Sequence, residues 1–113
     1  MSVETRVTRN DERSRYEIRV GDTVGGFAVF VTDRRERVVM THTEIDPAFK
    51  GQGLGSTLVD EALSDLARRG DIVVPRCPFV AHYLKGHEVA GLVVDWPHDD
   101  DAAEAATPGE QSS

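Results

Sequence analysis

Apolar and polar residues alternate through the first half of the chain. Val3, Thr5 and Val7 alternate with Glu4, Arg6 and Thr8, and Tyr16, Ile18 and Val20 alternate with Glu17 and Arg19. A period of two marks strands with one covered face. Asn10-Asp11-Glu12 and Gly21-Asp22 supply the turns that follow them. Residues 24–31 are apolar on both faces, which predicts a central strand covered on two sides. Asp33-Arg34-Arg35-Glu36 then turns the chain into a fourth run, residues 37–45. Strict alternation there puts Val39, Thr41, Thr43 and Ile45 on one face and Val38, Met40, His42 and Glu44 on the other. A histidine and a glutamate therefore point the same way.

Beyond Pro47 the period changes. After a glycine-rich turn, Leu58, Val59, Ala62, Leu63, Leu66 and Ala67 recur at helical spacing, closed by Arg68, Arg69 and Gly70. Ile72-Val73-Val74 follows as a short buried strand, and Cys77-Pro78 opens a second helical stretch, since proline suits the first helical position. Leu92-Val93-Val94 reads as a last strand. The order predicts an α/β fold of the α+β kind: a mixed, largely antiparallel twisted sheet, one main helix after strand four and a short helix after strand five. No internal repeat is visible.

At 113 residues the chain makes one domain, expected over residues 1–97. Residues 98–113 are polar and poor in large apolar groups, and read as a disordered acidic tail. The net charge of -7 is concentrated there, in Asp99, Asp100, Asp101, Glu104 and Glu110, while the rest of the chain is nearly balanced. Without a clustered basic face, nucleic acid is not an expected partner. Cys77 has no second cysteine to pair with, which excludes a disulfide scaffold. No apolar run approaches the roughly 20 residues of a membrane span, and the first residues lack the apolar stretch of a signal peptide. A cytoplasmic location without membrane contact is the expectation; oligomeric state is not legible.

Lys50-Gly51-Gln52-Gly53-Leu54-Gly55-Ser56 joins a strand to the start of an amphipathic helix, where free N–H groups and the positive end of the helix dipole coincide. Such a turn can hold an anion such as a pyrophosphate, or can simply be a tight connection. A P-loop is excluded, because no Lys-Ser or Lys-Thr pair follows the last glycine. A dinucleotide fingerprint is excluded by the meander-like strands before the turn and by the lack of an acid after residues 72–74.

The stretch Thr43-Glu44-Ile45-Asp46-Pro47-Ala48-Phe49-Lys50-Gly51-Gln52-Gly53-Leu54-Gly55-Ser56-Thr57-Leu58-Val59 resembles the acyl-CoA-binding motif of the GNAT superfamily, the acetyl-CoA-dependent N-acetyltransferases. Gly53 and Gly55 match its glycine positions, and Lys50 stands where glutamine or arginine is usual. Val74-Pro75-Arg76-Cys77-Pro78-Phe79 and the residues up to His87 are similar to a small bacterial GNAT-like subfamily with a Cys-Pro-Phe segment after the fifth strand; Glu88-Val89 departs from its closing His-Pro-Glu-Tyr. The resemblance implies a GNAT-like fold and transfer of acetyl from acetyl-CoA to an amine, on a small molecule or a protein lysine. It places the pyrophosphate on Gly51, Gln52, Gly53, Leu54, Gly55 and Ser56 and the pantetheine arm between strands four and five, and counts Ile45 and Lys50 among the cofactor-binding residues. The helices that build an acceptor pocket in longer relatives have no counterpart, since residues 9–15 form only a turn.

Acetyl transfer needs a base for the ammonium, donors for the thioester carbonyl and an acid for the thiolate. Glu44 and His42 are the candidate bases, or else a solvated pair. Tyr83 occupies a place resembling the GNAT general acid, or else is a packed aromatic. Cys77 is either a small buried hydrophobe or, at a helix N-terminus, a nucleophile or acetyl carrier. His82 and His87 follow Cys77 at a spacing that is not a zinc pattern, so no metal is expected. Three readings follow: an acyltransferase, a non-catalytic acyl-CoA-binding module, and a hydrolase using Cys77 with His82 or His87.

Overall fold

A computed structural model describes residues 4–97. The segment 98–113 expected as an acidic tail, and Val3 of the expected first strand, lie outside the described residues. Four strands, β1 (Thr5–Asn10), β2 (Arg15–Val20), β3 (Thr23–Thr32) and β4 (Val38–Ile45), pair in sequence order as an antiparallel meander. A 3-10 turn (Pro47–Phe49) and the helix α1 (Leu54–Arg69) then cross over to β5 (Ile72–Pro75), parallel to β4. The short helix α2 (Pro78–Gly86) leads to the two-residue β6 (Val93–Val94), parallel to β5. The mixed sheet, the main helix after strand four and the short helix after strand five are those the sequence pattern implies.

Helix α1 forms because its apolar residues recur at three and four positions, so Leu58, Val59, Ala62, Leu63 and Leu66 are all fully buried. They pack on Tyr16 and Ile18 of β2, Ala28 and Phe30 of β3, Val38 and Met40 of β4 and Val73 of β5. Gly70 ends the helix in the left-handed conformation, its N–H on the carbonyls of Leu66 and Ala67. Truncating any one of the buried leucines to alanine costs about 2–5 kcal/mol.

Two features differ from simple alternation. In β4 the register shifts: Val29 pairs with His42 but Phe30 pairs with Met40, so Thr41 is an extra residue. This bulge reverses the phase of the strand. Met40 and Thr43 share the face toward α1, whereas His42 and Glu44 share the opposite face with Phe27 and Val29. The expected pairing of His42 with Glu44 holds, but not the expected grouping of Val38 and Met40 with them. Nor is β3 covered on both sides. Ala28 and Phe30 are buried, while Phe27 and Val29 are half-buried and Val31 is exposed, because among the described residues no helix packs on that face.

On that second face Glu17 is 4% exposed and accepts hydrogen bonds from Arg15 at 2.8 Å and Asn10 at 3.3 Å. Burial pushes its pKa up, but those hydrogen bonds and the charges of Arg15 and Arg19 together hold it below the usual range. Arg37, also buried, bridges Asp33 at 2.8 Å and Asp95 at 2.6 Å, which ties the β3–β4 turn to the chain after β6.

Candidate functional site

Strands β4 and β5 run together for only three residue pairs, from Val38 opposite Val73 to Met40 opposite Pro75. Pro75 has no N–H to continue the ladder. The N–H groups of Arg76 and Cys77 both turn back onto the Met40 carbonyl, at 3.1 and 2.8 Å, and Pro78 starts α2. Residues 41–45 of β4 therefore have no strand beside them on the β5 side among the described residues. A cleft of about 520 Å³ opens along this free edge, bounded by Thr43, Glu44 and Ile45, by the turn from Phe49 to Gly51, by the first turn of α1 and by Phe79 of α2.

The glycine turn is shaped from its own sequence. Asp46 accepts a hydrogen bond from the Ala48 N–H at 2.9 Å, fixing the exit from β4. Gly51 and Gly53 have φ of 84° and 75°, a conformation that disfavours side chains. Gly53 is the N-cap of α1, so no side chain caps that helix and no acid stands in its first turn. The leading N–H groups are left for a ligand or solvent, with the positive end of the helix dipole behind them. Gly55 is needed for a different reason: a Cβ there would stand 2.7 Å from the ring of Phe79.

Glu44 lines the cleft, and its Oε1 lies 3.1 Å from Nε2 of His42, both side chains being more than half exposed. Cys77 is buried and does not reach the cleft surface; its Sγ donates to Oγ1 of Thr43 at 3.4 Å, and Thr43 is the lining residue. Tyr83 faces elsewhere. Its hydroxyl donates to Asp60 of α1 at 2.8 Å, and its ring stacks on His87 with centroids 4.1 Å apart. Burial, and then the Asp60 carboxylate, push the Tyr83 pKa up to about 12. Tyr83 lines a second cleft of about 360 Å³, with Ser56, Phe79, His82, Lys85 and His87.

The fold thus gathers Glu44, Ile45, Lys50, Gly51, Gly53, Leu54, Gly55 and Ser56 around one cleft. It leaves His42 off the lining but bonded to Glu44, bonds the buried Cys77 to Thr43, puts Tyr83 in the neighbouring cleft, and leaves Gln52 exposed outside both. Residue patterns alone did not single out Thr43, Phe49 or Phe79 as lining. For Phe79 the signal was present, an aromatic directly after a Cys-Pro helix start. No group of three or more His, Cys, Asp or Glu among the described residues could hold a metal ion. No described helix is long and apolar enough to cross a membrane.

Comparison with known proteins adds one finding. A family model described as GCN5-related N-acetyl-transferase matches residues 15–92, which takes in β2 to β5, both helices and both clefts. No curated protein sequence matches the chain.

Proposed function

The chain belongs to the GCN5-related N-acetyltransferase family, and from that premise we propose that it transfers an acetyl group from acetyl-CoA to an amine in the cleft beside β4. The observation that carries this reading is the meeting of an uncapped, acid-free N-terminus of α1 with the unpaired edge of β4 in one cleft of about 520 Å³.

The residues fit such a ligand. Gly51 and Gly53 keep side chains off the turn, so the first N–H groups of α1 can approach a pyrophosphate directly, and Lys50 adds a positive charge. The free edge of β4 offers backbone donors and acceptors to an amide-bearing arm, as it would to an added strand. When bound, the CoA thioester supplies an acyl group already activated for attack. Glu44, at the cleft wall, accepts a proton from the incoming ammonium, directly or through water. His42 holds the Glu44 carboxylate in place from 3.1 Å. Direct transfer is favoured over an acetylated Cys77, because that sulfur is buried, donates to Thr43 and does not line the cleft.

The test is a titration with acetyl-CoA, intact mass after incubation, and CoA release with a panel of amines and peptides. Saturable binding, an unmodified protein and acceptor-dependent release are expected; Glu44→Gln should slow turnover about 100-fold, within the range for a general base, with CoA affinity unchanged. A single acetyl on Cys77 would refute direct transfer. A second reading, a non-catalytic CoA-binding module, is favoured by the bare sheet face around His42 and Glu44, where both side chains are nearly 60% exposed. Binding without release by any acceptor would select it.

A further inference from the structure

Glu44 belongs to two surfaces at once. It lines the cleft, yet beyond the bulge at Thr41 it turns outward with His42, onto the sheet face over which no described helix packs. An amine that reaches Glu44 therefore has this open face beside it.

The pairing register sets what lies along that face. Phe27 stands directly opposite Glu44, and Glu17 directly opposite Phe27. Phe27 is half-buried, with the Arg15 guanidinium 4.3 Å from its ring centre. Two positions beyond Glu17 on β2, Arg19 stands directly opposite Arg6 of β1. Like charges in register across a ladder repel, at a cost to stability. The fold does little to offset it: Glu17 shares one charge between Arg15 at 2.8 Å and Arg19 at 3.6 Å, and Arg6 is exposed and makes no ion pair among the described residues. The charged residues that β1 and β2 put on this face are three arginines, Arg6, Arg15 and Arg19, against Glu17 alone, in a chain whose net charge is -7.

Strand spacing gives the separation. Arg19 is two strands and two residues away from Glu44, and Arg6 three strands and two residues, roughly 12 and 16 Å between Cα positions at about 4.8 Å per strand and 3.4 Å per residue. A peptide extended at about 3.4 Å per residue covers that gap in about four residues. A small amine has nothing to set against the two arginines; a peptide carrying an acid at that distance does.

We propose that the acceptor is a lysine in an acidic peptide segment, laid across the open sheet face from β4 toward β1, with its amine at Glu44, its backbone over Phe27 and an aspartate or glutamate about four residues from the lysine against Arg19 and Arg6. The inference rests on the acetyl-transfer reading and names the acceptor class for it. In the step it implies, the lysine ammonium gives one proton to Glu44, the nitrogen forms the amide bond as the C–S bond of acetyl-CoA breaks, and the nitrogen's second proton passes through solvent to the CoA thiolate.

The experiment follows CoA release by the full chain at saturating acetyl-CoA, with three synthetic peptides that have blocked termini and one internal lysine, and that differ only in carrying glutamate, glutamine or arginine four residues to each side of it. The wild type should prefer the glutamate peptide to the glutamine peptide about fivefold in kcat/KM, mostly through KM, the scale of an exposed ion pair. The arginine peptide should be the poorest, and higher salt should shrink the differences. Arg6→Glu turns an opposed like pair into an opposed unlike pair, so its melting temperature should not fall, and the preference for glutamate should vanish because Arg19 is then neutralised from β1. Arg6→Gln, which adds no charge, should lessen the preference. Equal use of the three peptides by the wild type, or release with small amines but with no peptide, overturns the inference and leaves the acetyl-transfer reading standing. A preference that survives Arg6→Glu also overturns it. No release with any amine while acetyl-CoA binds overturns both readings together.

Discussion

Tyr83→Phe separates a structural hydroxyl from a catalytic one. The variant keeps the ring, and so the stack on His87, and removes only the hydrogen bond to Asp60. A hydrogen bond to a charged partner contributes about 1.5–3 kcal/mol. Asp60 is exposed and regains water when the hydroxyl is lost, so the expected cost falls to the ordinary hydrogen-bond range, about 1–1.5 kcal/mol. For a domain of this size that lowers Tm by roughly 5–10 °C. Asp60→Asn should cost a similar amount, and the two together less than their sum, since both delete one interaction. Once an acceptor is in hand, the turnover rate and its pH profile should match the wild type, because the hydroxyl is held on α1 outside the cleft that Glu44 lines. Thermal melting and rate measurements across pH read both arms. If turnover instead falls by two orders of magnitude or more while Tm stays unchanged, that result would falsify the argument and make Tyr83 the proton donor to the leaving thiolate.

Three further outcomes follow from the same structure. Both tyrosines of the chain, Tyr16 and Tyr83, are buried and donate to aspartates, and burial followed by those carboxylates pushes each pKa up to about 12. Raised pKa values favour the neutral form in the folded state, so stability present below pH about 10 is lost as pH rises toward 12, and tyrosinate absorbance should grow only with unfolding; a reversible midpoint near 10 in folded protein refutes this. Glu17, held below its usual range, contributes in the opposite direction: its share is present above the ordinary carboxylate pKa and lost as pH falls through the depressed value. Glu17→Gln should therefore lower Tm at pH 7 and flatten the acid side of the stability profile, and an unchanged profile would count against it. Gly53→Val places a branched side chain at φ 75°, costing roughly 1–3 kcal/mol, and should weaken CoA binding by more than tenfold while the protein still melts cooperatively; unchanged affinity by calorimetry contradicts the cradle.

The element order was legible because α1 and the early strands carry clean periods. Leu58, Val59, Ala62, Leu63 and Leu66 could belong to nothing but a helix face, and Tyr16 and Ile18 point inward as alternation requires. The cleft was legible where chemistry is written in the backbone: glycines at 51 and 53 declare a turn whatever surrounds them. Where outcome depends on partners from elsewhere in the chain, local pattern was silent. Thr41 gives no sign of being supernumerary, because the bulge exists only in its pairing with β3. Tyr83 sits on a stretch resembling a catalytic one, and only the position of Asp60, on another helix, shows where its hydroxyl goes. Cys77 at a helix start reads equally as a small buried hydrophobe and as a nucleophile, and only the position of Thr43, on a distant strand, shows where its sulfur donates.

The extra residue at Thr41 also sets how the fourth strand tolerates a change of length. Before it, the even positions Val38 and Met40 are core; after it, the odd positions Thr43 and Ile45 turn inward and the even ones face water. The strand therefore has two parities joined at one position, and it carries one residue more than β3 needs opposite it. Deleting Thr41 would leave every neighbour facing as it does now, Met40 and Thr43 inward and His42 and Glu44 outward, because Met40 would still oppose Phe30 and His42 would still oppose Val29. What the deletion removes is the bend that a bulge puts into its strand, at the residue just past the last β4–β5 pair. An insertion beside Thr41 has no such slack to draw on. Length in this strand is thus forgiving at Thr41 in one direction only, because Thr41 is the residue that has no partner opposite it in β3.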